Sequence, residues 1–381
     1  MIKLFCCIAV LLYITASTSC NLSEDILKFA DAQLTNTVKI TQGGLFANNT
    51  LPSGKWTYTS SGAWTSGFYT GCLWYMYALT NDTKWLERAK ATLPYLSREQ
   101  YNKNTHDIGF IIFNSFGLGY KLTQDQNYHS AVLNAAAALS TRYSSKVKCT
   151  KSWNWSDKDF PVIIDNMMNL ELLFWAAENG GRKEFKEIAI NHADTTDSNH
   201  FRKDGSSYHV INYNPDTGLP KFRGTHQGYS DNSTWSRGQA WAIYGYTMSY
   251  RFTKSEKYLK RATISADYYI RRLPNDYVAY WDFDAPEIPK APRDTSGAAV
   301  AASGLIELSS FVSGEAKEKY LTAAKKIISS LTGHDYLARD VKGFESILTK
   351  GTPFKKANLF DIGIIYGDYY LLECLYRLKN L

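Results

Sequence analysis

Two kinds of apolar run alternate along the chain. Phe68 to Ala78, Gly109 to Gly119, Met167 to Ala177, Gln239 to Tyr250 and Ala298 to Ser310 are apolar on nearly every side and rich in Gly, Ala and aromatics. Each leads into a polar turn (Asn81-Asp82, Gln124-Asp125, Gly180-Gly181, Thr253-Lys254, Ser313-Gly314) and then into a charged, amphipathic run. A helix that is apolar all round belongs inside, and one with a single apolar stripe belongs outside. The amphipathic runs align on an aromatic followed four residues later by a small or β-branched residue: Trp85/Ala89, Tyr128/Val132, Phe185/Ala189, Tyr258/Ala262 and Tyr320/Ala324. That spacing puts both side chains on one helix face. With Glu24 to Thr37 as a first outer helix and Ile362 to Leu378 as a last inner one, the pattern predicts six hairpins, the number that closes a ring of paired helices. The expected fold is all-α, an (α/α)6 barrel with long loops forming the active-site face.

The anchors recur at unequal intervals, so the loops vary more than the helices, and long loops carry function. The longest interval holds Ser206 to Arg237, dense in Gly, Asn, Asp and Tyr. Its Tyr208 to Tyr213 segment suits short strands, and the interval as a whole suits one wall of a pocket.

The chain has 381 residues and no Pro/Gly/Ser-rich spacer, which predicts one catalytic domain over residues 20–381. Residues 1–19 read as a signal peptide: Lys3, then apolar Leu4 to Leu12, then small Ala16 to Ser19, too short to span a membrane. The mature protein is therefore expected outside the cytoplasm, in the periplasm or at the cell surface. Cys20 directly after Thr18-Ser19 fits either plain secretion or a lipoprotein cleavage site, so membrane attachment through a lipidated Cys20 stays open. Cys72, Cys149 and Cys374 then remain, too few and too scattered for a disulfide framework or a zinc site. No metal and no cofactor are expected. The net charge of +7 is spread thinly, without an arginine-rich arm for nucleic acid, and suits an acidic sugar.

Asp165 stands directly before the apolar run Asn166-Met167-Met168-Asn169-Leu170, and Asp107 has the same placement in His106-Asp107-Ile108-Gly109-Phe110. Acids at such junctions can be desolvated and made to move protons; equally, Asp165 can be an N-cap and His106 an ordinary core imidazole. Asn169 and Asn114 put amides on the inner face that the acids would occupy. Downstream, His209, His226-Gln227-Gly228-Tyr229 and Trp235-Ser236-Arg237-Gly238-Gln239-Ala240-Trp241 gather imidazole, amide, guanidinium and indole groups ahead of another inner helix. Arg237 is placed to clamp a carboxylate or to form a structural ion pair. Trp64, at the mouth of the first inner helix, is either a sugar platform or core. No G-x-S-x-G elbow occurs, which disfavours a serine triad.

Taken in order, Ala63-Trp64-Thr65-Ser66-Gly67-Phe68, His106-Asp107-Ile108-Gly109-Phe110, Asp165 to Leu170, His226 to Tyr229 and Trp235 to Trp241 resemble the unsaturated glucuronyl hydrolases of glycoside hydrolase family 88. The resemblance runs from Trp64 to Tyr366-Gly367-Asp368-Tyr369-Tyr370. It implies an (α/α)6 barrel and an acidic oligosaccharide partner whose non-reducing end is a 4,5-unsaturated uronic acid. Asp165 would then be the general acid and base acting at C4 of the enol ether, and Asp107 an ionised partner holding sugar hydroxyls. Trp64, His106, His209, Gln227, Arg237 and Trp241 would bind substrate, Arg237 at its carboxylate and Trp64 as stacking platform. Rival readings are an unsaturated rhamnogalacturonyl hydrolase, a conventional inverting glycosidase using the same two acids, and a non-catalytic acidic-sugar-binding protein.

Overall fold

The computed structural model describes residues 24–41 and 43–381, so the expected leader, with Cys6, Cys7 and Cys20, lies outside the described residues. Twelve helices follow one another as six hairpins, mostly outer then inner. The inner set is α2 (Ser66–Thr80), α4, α6 (Asn166–Glu178), α8 (Ser236–Thr253), α10 (Thr295–Phe311) and α12 (Ile365–Lys379). Helix α4 opens as a π-helix over Gly109–Gly117 and continues as α-helix through Leu118–Thr123. The outer set is α1 (residues 24–40), α3 (Thr83–Leu96), α5 (Gln126–Ser140), α7 (Glu184–Asn199), α9 (Glu256–Arg271) and α11 (Gly314–Leu331).

Contacts run from α2 to α4, α6, α8, α10, α12 and back to α2, so the inner helices close a ring, and α3, α5, α7, α9 and α11 each back onto the inner helix before them. This is the expected (α/α)6 barrel. The aromatic anchors act as read from the sequence: Trp85, Phe185, Tyr258 and Tyr320 are buried with Ala89, Ala189, Ala262 and Ala324, and only Tyr128 keeps part of its ring in solvent.

The turns have a common construction. Asn81, Gln124 and Lys254 each adopt the left-handed conformation that ends an inner helix. Asp82 and Asp125 then accept a backbone N–H in the first turn of the next helix. Inner helices approach closely where a side chain is missing: a Cβ on Gly67 would lie 2.2 Å from the Phe110 carbonyl oxygen, and one on Gly109 would lie 2.6 Å from Asn169 Oδ1. Those contacts lock α2, α4 and α6 together at one end of the ring, the end where the inner helices begin.

Short strands lie at that end. β1 (Phe46–Thr50) pairs with β2 (Trp56–Thr59), and β3 (Tyr143–Ser144) with β4 (Cys149–Thr150). β5 (Phe160–Ile163), β6 (Val210–Tyr213) and β7 (Pro220–Gly224) form an antiparallel sheet in that order. The strand expected within Tyr208 to Tyr213 is β6. Cys72, Cys149 and Cys374 are buried free thiols.

Candidate active site

Every inner helix starts at the same end, so six helix N-termini face one space. Each carries unpaired N–H groups and partial positive charge, a setting that favours acidic side chains and anionic ligands. A pocket of about 320 Å³ lies there. Trp64, His106, Asp107, Asp165, Gln227 and Arg237 line it, all six named from the sequence. His209 and Trp241 do not: both are buried behind Asp165.

Asp165 occupies the position before α6, yet its side chain makes no cap hydrogen bond, which removes the N-cap alternative. Its register comes from the sheet. Ile163 pairs with Val210, and the Ile164 N–H donates to the His209 carbonyl at 3.0 Å, so the residue after β5 lies beside the residue before β6. His209 Nε2 consequently stands 3.5 Å from Asp165 Oδ2. That oxygen is buried with no hydrogen-bond partner, and only 13% of the Asp165 side chain is exposed. Burial first, and then the Asp107 charge, push the Asp165 carboxyl up to about 7; Arg237, a backbone N–H and the Trp241 indole oppose the rise.

Asp107 is also pushed up to about 7, by burial, against the opposing pull of Asn169, Thr105 and Arg142. The sequence led us to expect a division in which Asp107 stays ionised beside a protonated Asp165. The fold instead desolvates both, because α4 and α6 are pressed together at their starts. Asn169 ties the two helices: its Oδ1 accepts the Phe110 N–H at 2.9 Å, while its amide nitrogen has no partner. Asn114 Oδ1 accepts the Tyr369 hydroxyl at 3.2 Å, and its amide nitrogen, like that of Asn169, has no partner.

His106 is buried with Nδ1 2.8 Å from the Ser152 carbonyl and Nε2 3.2 Å from Asp107 Oδ1. Burial and then the Arg142 guanidinium drive its pKa down to about 3, against the opposing pull of the Ser152 carbonyl, so it is a neutral ring. His209 is held neutral as well, by burial and by the surrounding His226 and Arg237.

Arg237 forms the structural ion pair that was one of its two expected roles. It is buried and pairs with Asp294, and it also donates to the Thr352 and Pro353 carbonyls, both at 2.9 Å. Those bonds use Nη1 and one hydrogen of Nη2. The N–H on Nε and the second on Nη2 remain, the side-on pair that can grip a carboxylate in a fork. Gln227 Nε2 donates to the Pro353 carbonyl at 2.9 Å, which fixes its amide at the rim. Trp64 packs on Tyr366 with centroids 4.9 Å apart and leaves part of its ring in the pocket.

Trp153, Asn48, Asn49, Phe354 and Tyr366 join the lining unanticipated. Trp153 had a signal: Lys-Ser-Trp-Asn-Trp places two tryptophans in a polar loop, where no core needs them, and the two rings stack at 5.1 Å. Asn48 and Asn49 had none, since β1 is brought to the pocket by long-range contacts, the Asn49 bridge to Ile364 and the Thr65 hydroxyl that donates to Asn48 Oδ1 at 2.9 Å.

The family profile of Glycosyl Hydrolase Family 88 matches residues 26–371. An unsaturated glucuronyl hydrolase of Formosa agariphila is 44% identical over 324 residues, which cover 84% of this chain and 80% of that protein. The crystal structure of an unsaturated glucuronyl hydrolase specific for heparin superposes with a TM-score of 0.91 at 39% identity, over 95% of this chain and 98% of the other. A substituted unsaturated glucuronyl hydrolase from Streptococcus agalactiae, complexed with dGlcA-GalNAc6S, superposes with a TM-score of 0.81 at 31% identity, over 93% and 91%.

Proposed function

The chain belongs to Glycosyl Hydrolase Family 88, and on that premise we propose how its pocket acts. The enzyme removes a 4,5-unsaturated uronic acid from the non-reducing end of oligosaccharides left by polysaccharide lyases. Asp165, which its raised pKa keeps largely protonated up to about neutral pH, delivers its proton to C4 of the enol ether, and the positive charge that develops at C5 is shared with the ring oxygen. The Asp165 carboxylate then takes a proton from a water as that water adds to C5. The resulting hemiketal opens to a ketone at C5, and the hemiacetal this leaves at C1 collapses to an aldehyde and expels the remaining sugar as an alcohol.

Asp107 and Gln227 hold sugar hydroxyls, Arg237 takes the carboxylate through its two free N–H groups, and Trp64 lies against the ring. Binding at several points orients C4 over the acid. The observation that carries this reading is Asp165 Oδ2: a buried carboxyl oxygen with no partner, on a group pushed up to about 7, at the floor of a pocket beside a second acid. A carboxyl kept merely for structure would be paired.

Unsaturated and saturated uronyl disaccharides test the reaction. Loss of the ultraviolet absorption of the conjugated ene-carboxylate, with saturated substrates untouched, is the expected result. Cleavage of saturated uronides would point to an ordinary inverting glycosidase instead. The apolar leader supports export, and mass analysis of the mature N-terminus will show whether the chain starts at a lipidated Cys20 or at a plain cleavage site.

A further inference from the structure

We propose that His106 and His209 are held in opposite tautomers by their backbone partners, and that this opposition makes Asp165 the proton donor while denying that role to Asp107. The inference rests on the reading of the pocket above and adds to it the position of each proton. It answers a question the burial leaves open, since two acids desolvated alike are not distinguished by desolvation.

A neutral imidazole carries one N–H and one lone pair, and its fixed partners decide which nitrogen has which. His209 Nδ1 receives two backbone N–H groups, from His226 at 3.2 Å and Gln227 at 3.1 Å. It therefore presents a lone pair there, and the hydrogen sits on Nε2, 3.5 Å from Asp165 Oδ2, where it acts on that oxygen as a nearby positive pole without closing a hydrogen bond. A carboxyl turns its carbonyl oxygen toward such a pole and carries its own proton on the other oxygen. Asp165 thus keeps its proton on Oδ1, the oxygen left open to the pocket, and His209 is a positioning residue that fixes this choice.

His106 is wired the other way. The Ser152 carbonyl at 2.8 Å can only accept, so Nδ1 carries the hydrogen. Arg142 Nη2 donates to the same carbonyl at 3.1 Å, and that nearby cation disfavours a second proton on the ring. Nε2 then turns a lone pair toward Asp107 Oδ1 at 3.2 Å. Two lone pairs at that distance repel unless a proton lies between them. Whenever Asp107 is protonated, its proton is held there, away from the substrate, which leaves Oδ2 to accept a sugar hydroxyl. The other charged groups do not reverse the pattern. Asp165 is faced by Asp107, Arg237 and Tyr366, His209 by His226, His200, Arg237 and Lys356, and Asp107 by Arg142. The cations around His209 keep it neutral.

Nitrogen NMR of the full chain labelled with 15N-histidine tests this without substrate. Between about pH 5 and 8, where imidazoles ordinarily titrate, His209 should show an unprotonated Nδ1 and a protonated Nε2, and His106 the reverse. Either ring in the other tautomer overturns the proposal. Kinetics supply a second test. His209→Leu should lower kcat about tenfold or more with little change in KM. It should also move the alkaline limb of activity to higher pH, because a donor to the Asp165 anion is gone. His209→Gln, whose amide N–H reaches where Nε2–H stood, should restore both. Leu and Gln variants that behave alike with an unmoved limb would mark His209 as packing only and overturn its role. Absence of any activity on unsaturated uronides would sink the proposed function instead, while the nitrogen shifts still decide the tautomers.

Discussion

The two ends of the ring bury acids to the same depth and treat them oppositely. At the far end, two turns below the pocket, Glu373 accepts from Tyr75 at 2.8 Å, Tyr244 at 3.1 Å and Ser303. Glu307 lies between Arg377 and Arg251, and the two guanidinium groups hold its carboxyl below the usual range although only 10% of its side chain is exposed. Arg251 also meets Glu171 at 2.6 Å. These residues come from α2, α6, α8, α10 and α12, so the cluster ties five of the six inner helices together. At the mouth, Asp107 and Asp165 have no ion-paired cation, and Asp165 Oδ2, His209 Nε2, Asn169 Nδ2 and Trp241 Nε1 all lack hydrogen-bond partners. Unpaired buried polar groups are costly, so a fold that collects four of them at one spot keeps them for chemistry with something that arrives from outside.

The largest effect should separate the ends outright. Asp165→Asn removes the proton donor while keeping the shape, and kcat should fall by about a thousandfold or more. Thermal stability should not drop, since an amide is cheaper to bury than a carboxyl without a partner. Activity above a tenth of wild type would end the claim that this group moves the proton. At the far end the pattern inverts. Glu373→Leu strands three hydroxyls and part of Arg377, and urea unfolding should show a loss of about 3–5 kcal/mol. Turnover per folded molecule should stay unchanged. If Glu373→Leu instead spares stability and cuts turnover, the far end is functional and the comparison collapses.

What could be read from the sequence follows the same division. Local rules gave the hairpins: the aromatic-to-small spacing, the left-handed turn residues and the Asp caps act within a few positions of each other. Asp107, Asp165 and Arg237 were legible because each sits where an apolar run begins. What joins them was not. The Arg237 partners Asp294 and Thr352 lie 57 and 115 residues away. Cross-helix satisfaction of that kind leaves no periodic trace. Nor did the sequence foretell the π-helical start of α4, which no propensity marks, or the desolvation of Asp107, which depends on how closely Gly109 lets α6 approach.

Arg237 belongs to both ends of the comparison, paired like the far end and open like the mouth. Arg237→Lys keeps the charge but loses the fork, and should lower kcat/KM by about 2 kcal/mol, roughly thirtyfold, mainly through KM. A loss in kcat alone would mean the guanidinium only supports the scaffold. pH offers a milder probe. In the proposed mechanism Asp165 works in its acid form, so activity should fall about tenfold per pH unit once pH rises past about 7. The folded value is raised above the unfolded one. Its contribution to stability is therefore complete below about pH 4 and is lost as pH climbs through about 7. A fall in stability over that window that is diminished once Asp165 is replaced by Asn would confirm the sign. An alkaline limb absent below about pH 9 would contradict the assignment of the proton.

The smallest effect concerns Trp64, where packing and binding share one ring. It lies against Tyr366 at 4.9 Å, Phe110 at 5.7 Å and Phe68 at 5.9 Å, so much of its area belongs to the scaffold of the mouth. The remainder faces the pocket. Trp64→Phe keeps a ring of similar placement and gives up the outer part of the indole, so the scaffold should hold while the platform shrinks. Aromatic contacts of this kind are worth about 0.5–1.5 kcal/mol, and losing part of one should raise KM roughly twofold with kcat unchanged. Three outcomes divide the possibilities. An unchanged KM makes Trp64 a pillar of the mouth and nothing more. A higher KM alone makes it a platform, adding an apolar contact to a pocket otherwise built from unpaired polar atoms. A fall in kcat would show that the ring also sets the angle at which C4 meets Asp165, since misplacement by even a fraction of an ångström is felt in the proton transfer rather than in binding.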